Sequence, residues 1–173
     1  MIGSLYLRGP LSFMDIQQHE QFMQAALDLA RQAESEGEVP VGAVVVCDGE
    51  IIGRGYNQPI STVDCSAHAE MMAIREACQK QNNYRLTDCD IYVTLEPCAM
   101  CAGAIVHGRI RHVYFAASDP KTGACGSIID LVTSNPTGHR VEVTGGILAE
   151  QSQSIIQSFF QRRRAEKKNK DKD

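Results

Sequence analysis

The 173-residue chain has no run of eighteen apolar residues, and its first residues lack a basic segment followed by an apolar stretch. Neither a membrane span nor a secretory signal is therefore readable in it. It also lacks internal repeats, low-complexity inserts and any Gly/Ser/Pro-rich stretch in its middle that would mark a linker. One globular domain is expected. Closely spaced cysteines are scarce: of seven, at 47, 65, 78, 89, 98, 101 and 125, only Cys98 and Cys101 lie near one another. An odd count with one close pair argues against a disulfide framework and for thiols in a reducing, cytoplasmic compartment. A metal is then the better use of that pair.

Charge is present but unevenly spread. The net charge is -4, yet residues 161–173 carry seven basic and three acidic side chains, leaving 10 basic and 18 acidic in residues 1–160. Charge runs at a terminus are most often solvated tails, but a basic end on an acidic body also fits attraction to a polyanion. Residues 1–13 read as a loose leader with Met14 as a possible true start, residues 14–164 as the domain, and 165–173 as a charged, disordered tail.

Periodicity supplies the elements. Asp15 is placed to cap a helix from Ile16 to about Glu36, with Phe22, Ala26, Leu29 and Ala33 as its apolar stripe and Gly37 as its stop. VGAVVVC (41–47) and EIIGRGY (50–56) read as β-strands joined by Asp48-Gly49, a dipeptide that tight hairpin turns prefer. Next come a helix from Ala67 to about Lys80, a strand at 90–96, a helix in PCAMCAGAIVHG, a strand at 111–117, a strand near 140–144 and a helix from about Leu148. Strand–helix–strand crossovers after a hairpin imply an α/β fold with a mixed sheet.

The chemistry sits at two helix starts. In PCAMC, Pro97 suits a first helical turn, where a missing N–H does no harm. Cys98 and Cys101 share one helix face at the positive end of its dipole, which favours thiolates. With His68 of SAHAEMM they give three zinc ligands and no second close pair to close a tetrahedron. Three protein ligands plus water describe a catalytic zinc, whose water is acidified towards neutrality. Glu70 stands two residues from His68, a spacing at which side chains splay around a helix end. One can then hold metal while the other faces the water as general acid and base.

HAE at 68–70 followed by PCAMC at 97–101 matches the H-x-E…P-C-x-x-C signature of zinc nucleobase deaminases. Together with EVPVGAVVV, GYNQP, AHAEMMAIR, YVTLEPCAMCAGAI, DPKTGACGS and FFQRRR, the chain from about Ile16 to Arg164 resembles the bacterial tRNA-specific adenosine deaminases. The resemblance implies a cytidine-deaminase-like three-layer α/β/α sandwich, with a central five-stranded mixed sheet and helices on both faces. It implies one zinc ion per subunit on His68, Cys98 and Cys101, with Glu70 shuttling protons. The implied reaction converts adenosine to inosine at the wobble position of an arginine tRNA, releasing ammonia.

A homodimer on a tRNA anticodon stem-loop is likewise implied, with no DNA and no membrane as partner. Asn57 matches the residue that holds the target base, although a turn-forming Asn is an equal reading of GYNQP. Asp119, Lys121, His139, Phe160 and Arg163 match positions near the anticodon loop. One of the adjacent Phe159 and Phe160 is expected in the core. Where relatives commonly have proline this chain has Cys65, a thiol that could compete for zinc or stand by. A deaminase of a free base or nucleotide, such as guanine or cytosine, is the alternative reading, because the superfamily shares the zinc chemistry.

Overall fold

The computed structural model describes residues 13–170; all of the expected leader at 1–13 except Phe13, and the last three residues of the expected tail, lie outside them. Helix α1 (Phe13–Ser35) is followed by strands β1 (Gly42–Cys47) and β2 (Glu50–Tyr56), a short helix α2 (Pro59–Thr62) and helix α3 (Ala69–Gln81). Then come β3 (Cys89–Leu95), α4 (Ala99–His107), β4 (His112–Ala117), β5 (Glu142–Gly145) and α5 (Ala149–Lys170). The five strands form one sheet in the order β2-β1-β3-β4-β5. β1 pairs antiparallel with β2 and β3, while β3, β4 and β5 run parallel.

The hairpin forms where the turn chemistry dictates. Asp48 and Gly49 both take positive φ, 49° and 78°, as a two-residue turn between twisted strands requires. Strand alternation then divides the core into two layers. Ala43 and Val45 of β1, Ile91 and Val93 of β3, and Val113 and Phe115 of β4 face α3 and α4. Val44, Val46, Tyr92 and Tyr114 face α1 on the other side, where α5 also packs. The α/β sandwich with helices on both faces is thus present.

Several boundaries differ from expectation. α1 begins at Phe13 rather than Ile16, so Asp15 is a first-turn acid instead of a cap. Its buried face is Met23, Ala26, Leu27, Ala30 and Ala33, with Phe22 and Leu29 on the flank. Gly37 ends the helix region at φ +80°, as read from sequence. α5 continues to Lys170, so residues 165–170 are helical rather than disordered; Ala, Glu and Lys are strong helix formers, and Glu166 pairs with Arg163 one turn earlier.

Two glycines of β2 bring α3 close to the sheet. A Cβ on Gly53 would stand 2.2 Å from the Ala73 carbonyl oxygen, and one on Gly55 2.2 Å from that of Ala69. Only hydrogen at these positions lets the face of α3 that carries Ala69, Ala73 and Ala77 lie directly on β2.

Candidate metal and catalytic site

The site is built where two helices begin at one end of the sheet. His68 is the N-cap of α3 (φ -74°, ψ 154°) and Cys98 the N-cap of α4 (φ -75°, ψ 173°), both extended and neither using its side chain as a cap. Each helix therefore starts about two residues later than the sequence suggests, and Pro97 precedes the cap instead of occupying the first turn. The extended backbone frees both side chains to point across the gap between the helix ends. Cys101 follows one turn into α4 and is fully buried.

Their donor atoms converge. His68 Nδ1 lies 3.6 Å from Cys98 Sγ and 3.6 Å from Cys101 Sγ, and the three atoms all fall within 4.8 Å of one another. A tetrahedral zinc with ordinary bond lengths holds its N and S ligands about 3.6 Å apart. Two thiols and an imidazole at that spacing fit zinc. Among the described residues no fourth side chain joins the group. Cys65 is exposed and outside it. Burial raises the Cys78 and Cys125 thiols, which suits apolar packing rather than ligation.

The group is electrostatically asymmetric. The Cys98 thiol is held well below its ordinary value, first by the hydrogen bond from Cys101 and then by that from His68. Cys101 is pushed up by the same bond and by burial. Cys98 is thus the first thiolate, at a helix N-terminus where negative charge is favoured. Glu70, in the first turn of α3, is 4% exposed. Burial raises its carboxyl to about 7, opposed by its backbone hydrogen bond and by His68. The Cys101 thiol shares a hydrogen bond with it. A buried carboxyl that ionises near neutrality beside an electrophilic centre is suited to taking and giving protons.

Asn57 is buried, and its Oδ1 accepts the Ala69 N–H at 2.9 Å. It sits against the start of α3, beside His68. Asp119 organises its own loop, accepting from the Lys121 and Thr122 amides and the Thr122 hydroxyl. Lys121 and Phe160 line one groove of about 240 Å³ with Gln157, Gln161 and Arg164. Phe159 is the buried member of the aromatic pair and Phe160 the exposed one. Arg163 lies outside that groove, its guanidinium 6.0 Å from the Phe159 ring centroid.

His139 does not join the others within one chain. Its Nε2 donates to the Ile110 carbonyl at 2.8 Å, at the start of β4, whereas Glu96, two residues before Cys98, pairs with Ala117 at the end of that strand. The cause is topological: β5 runs parallel to β4, so the connection must return to the starting end before β5 begins. Sequence reading missed Glu96, Arg164 and Ser127. The visible signal for Glu96 was an acid ending an otherwise apolar strand, immediately before Pro97.

A mixed sheet with a His/Cys/Cys group at two helix starts and a buried glutamate defines a zinc-dependent deaminase class. Comparison agrees: residues 16–117 match the model of the cytidine and deoxycytidylate deaminase zinc-binding region. The chain is 51% identical over 150 residues to the tRNA-specific adenosine deaminase of Haemophilus influenzae, covering 86% of this chain and 87% of that one. It is 44% identical to that of Bacillus subtilis, over 87% of this chain and 94% of the relative. A structure from work on A-to-I editing by tRNA deaminases at the wobble position of transfer RNA superposes with a TM-score of 0.75. Its identity is 45%, over 78% of this chain and 98% of that chain. The chain belongs to the cytidine and deoxycytidylate deaminase family, and within it to the tRNA-specific adenosine deaminases. It is an enzyme whose cofactor is zinc.

Proposed function

We propose that this enzyme hydrolyses adenosine to inosine at the wobble position of an arginine tRNA, releasing ammonia. The observation that carries the reading is the convergence of His68, Cys98 and Cys101 beside the buried Glu70, in a chain whose relatives are tRNA-specific over most of its length. His68 Nδ1 and the two thiolates would hold zinc, which when bound supplies a Lewis acid that acidifies water. Glu70 takes one proton of the attacking water and delivers it to the purine ring nitrogen. It then takes the remaining hydroxyl proton from the C6 adduct and passes it to the amino group, which leaves as ammonia as the C–N bond breaks and the C6 carbonyl forms. Asn57 holds the base next to Glu70. Asp119, Lys121, Phe160 and Arg163 present a partly basic surface to an unpaired loop, where splayed bases are accessible without breaking a duplex. His139 acts on the far side of the subunit, in a homodimer that binds the anticodon stem-loop in the cytoplasm.

A second reading has a specific observation behind it: a guanine deaminase from Bacillus subtilis is 44% identical, with a TM-score of 0.56 over 58% of this chain and 64% of that one. The discriminating experiment incubates zinc-loaded protein with an arginine tRNA anticodon stem-loop bearing adenosine at the wobble position. Free adenosine, guanine and cytidine are run in parallel, and inosine and ammonia are assayed. Inosine in the stem-loop alone is the expected result. Ammonia from free guanine with the RNA untouched would replace this reading with the second.

A further inference from the structure

Glu96 is a buried carboxylate that the chemistry above does not use. It is 2% exposed, and among the described residues no cation pairs with it. Four donors from one loop satisfy it instead. Oε1 accepts the Cys125 and Ser127 amides, each at 3.0 Å, and Oε2 accepts the Asp119 amide at 3.0 Å and the Ser127 hydroxyl. The loop closes tightly around it: a Cβ on Gly123 would stand 2.5 Å from the Glu96 carboxyl carbon. A buried charge without a counter-ion is stable only when its oxygens are fully bonded.

Both ends of this arrangement reach functional parts. Glu96 directly precedes Pro97 and Cys98, and the Ala124 amide donates to the Pro97 carbonyl at 2.8 Å, while Cys98 and Gly123 form a β-bridge. On the other side the loop carries Lys121 into the groove against Phe160 and Arg164 of α5. We propose that Glu96 is a positioning residue that registers the loop at 119–127, and with it the RNA-facing groove, against the helix start that carries Cys98. The inference rests on the RNA reading above for its kinetic consequence, but not for its structural one. Since the carboxylate's hydrogen bonds go to loop amides and the Ser127 hydroxyl and to none of the three metal donors, its loss should act on substrate binding before chemistry.

The test compares wild-type, Glu96→Gln and Ser127→Ala proteins, full length and zinc-loaded. In Glu96→Gln the new amide NH2 faces at least one backbone N–H in either orientation, whereas Ser127→Ala removes one donor and leaves the carboxylate. Hydrogen–deuterium exchange should quicken at the 119, 125 and 127 amides by roughly tenfold or more in Glu96→Gln, the scale of a lost buried hydrogen bond, and by less in Ser127→Ala. α1 and α5 should keep their protection and zinc content should be unchanged. KM for the stem-loop should rise by roughly tenfold in Glu96→Gln, for the same reason, with kcat little altered. Uniformly faster exchange, loss of zinc, or a fall in kcat at constant KM would overturn the assignment. If Glu96→Gln does not fold, Ser127→Ala with unchanged loop exchange overturns it alone. A wild-type enzyme inactive on the stem-loop would remove the RNA reading and leave the exchange comparison to judge Glu96.

Discussion

The side-chain oxygen of Asn57 accepts the backbone N–H of Ala69 at 2.9 Å, so the residue proposed to hold the target base also secures the first turn of the helix that carries Glu70. Two roles on one side chain can be separated by what each atom of the amide does. Asn57→Asp keeps an acceptor for Ala69 and removes the NH2. It should fold with near wild-type stability and lose turnover. Asn57→Ala removes both, adding a stability loss of about 1–2 kcal/mol, the usual cost of a lost helix-start acceptor. Urea unfolding beside a turnover assay separates the two variants; equal stability losses would remove the capping role.

Glu70→Gln preserves volume and abolishes proton transfer. Turnover should fall by about 10²–10⁴-fold, with zinc content and melting temperature held, because the three donors are untouched. Inosine formation measured beside bound zinc checks this, and unchanged turnover would exclude the assigned role.

Cys98 is one of the three converging donors, with its thiol held below the ordinary range, and its loss should act on the metal first. Cys98→Ser should lower zinc occupancy, and treating the wild-type protein with a chelator should reproduce its loss of activity. Both should lower the melting temperature, since a metal that binds only the folded state stabilises it. A variant with full zinc and full rate would take Cys98 out of the site.

The basic stretch of α5 should contribute by neutralising phosphates. Deleting residues 165–173, or replacing Arg164 with Ala, should weaken stem-loop affinity most at low salt. The slope of log K against log salt should flatten by about 0.7 for each single-strand phosphate left without its cation. Identical slopes across a salt series would make this end a bystander.

His112 makes stability depend on pH away from the metal. Its ring is stacked 3.9 Å from Tyr114, and its Nε2 shares a hydrogen bond of 2.9 Å with the Thr144 hydroxyl. Burial lowers its pKa from 6.5 to about 4, against the opposing pull of Asp90 and Glu142. The unfolded chain takes up a proton at a pH where the folded chain refuses it. This contribution is therefore whole above 6.5 and is lost as pH falls towards 4, on the order of 3 kcal/mol. Denaturation midpoints at several pH values should decline through that window, and His112→Gln should show a shallower decline. Parallel profiles would show that other groups set the acid limb.

Local pattern made much of this molecule legible. Alternation in VGAVVVC and EIIGRGY located a hairpin, and Asp48-Gly49 named its turn, because the left-handed backbone there is tolerated by few residues. The spacing in HAE and PCAMC exposed the donor set, because both motifs are short and each hangs on one helix start. Boundaries were less legible: α3 and α4 begin two residues late because His68 and Cys98 adopt extended backbone to reach one another. That demand comes from the partner helix and not from local propensity.

By itself, then, the sequence determined most of the elements that form, where the turn falls and which three side chains could hold a metal, since these depend on residues close together along the chain. Tertiary structure alone decided how deeply Glu70 is buried and that Glu96 is wrapped by a loop near thirty residues away. It also decided that Lys121 meets α5 while His139 is carried to the far end of β4. Burial, pKa and the meeting of distant loops follow from the order and direction of strands in the sheet, and the packing of residues far apart in sequence leaves no periodic trace in it.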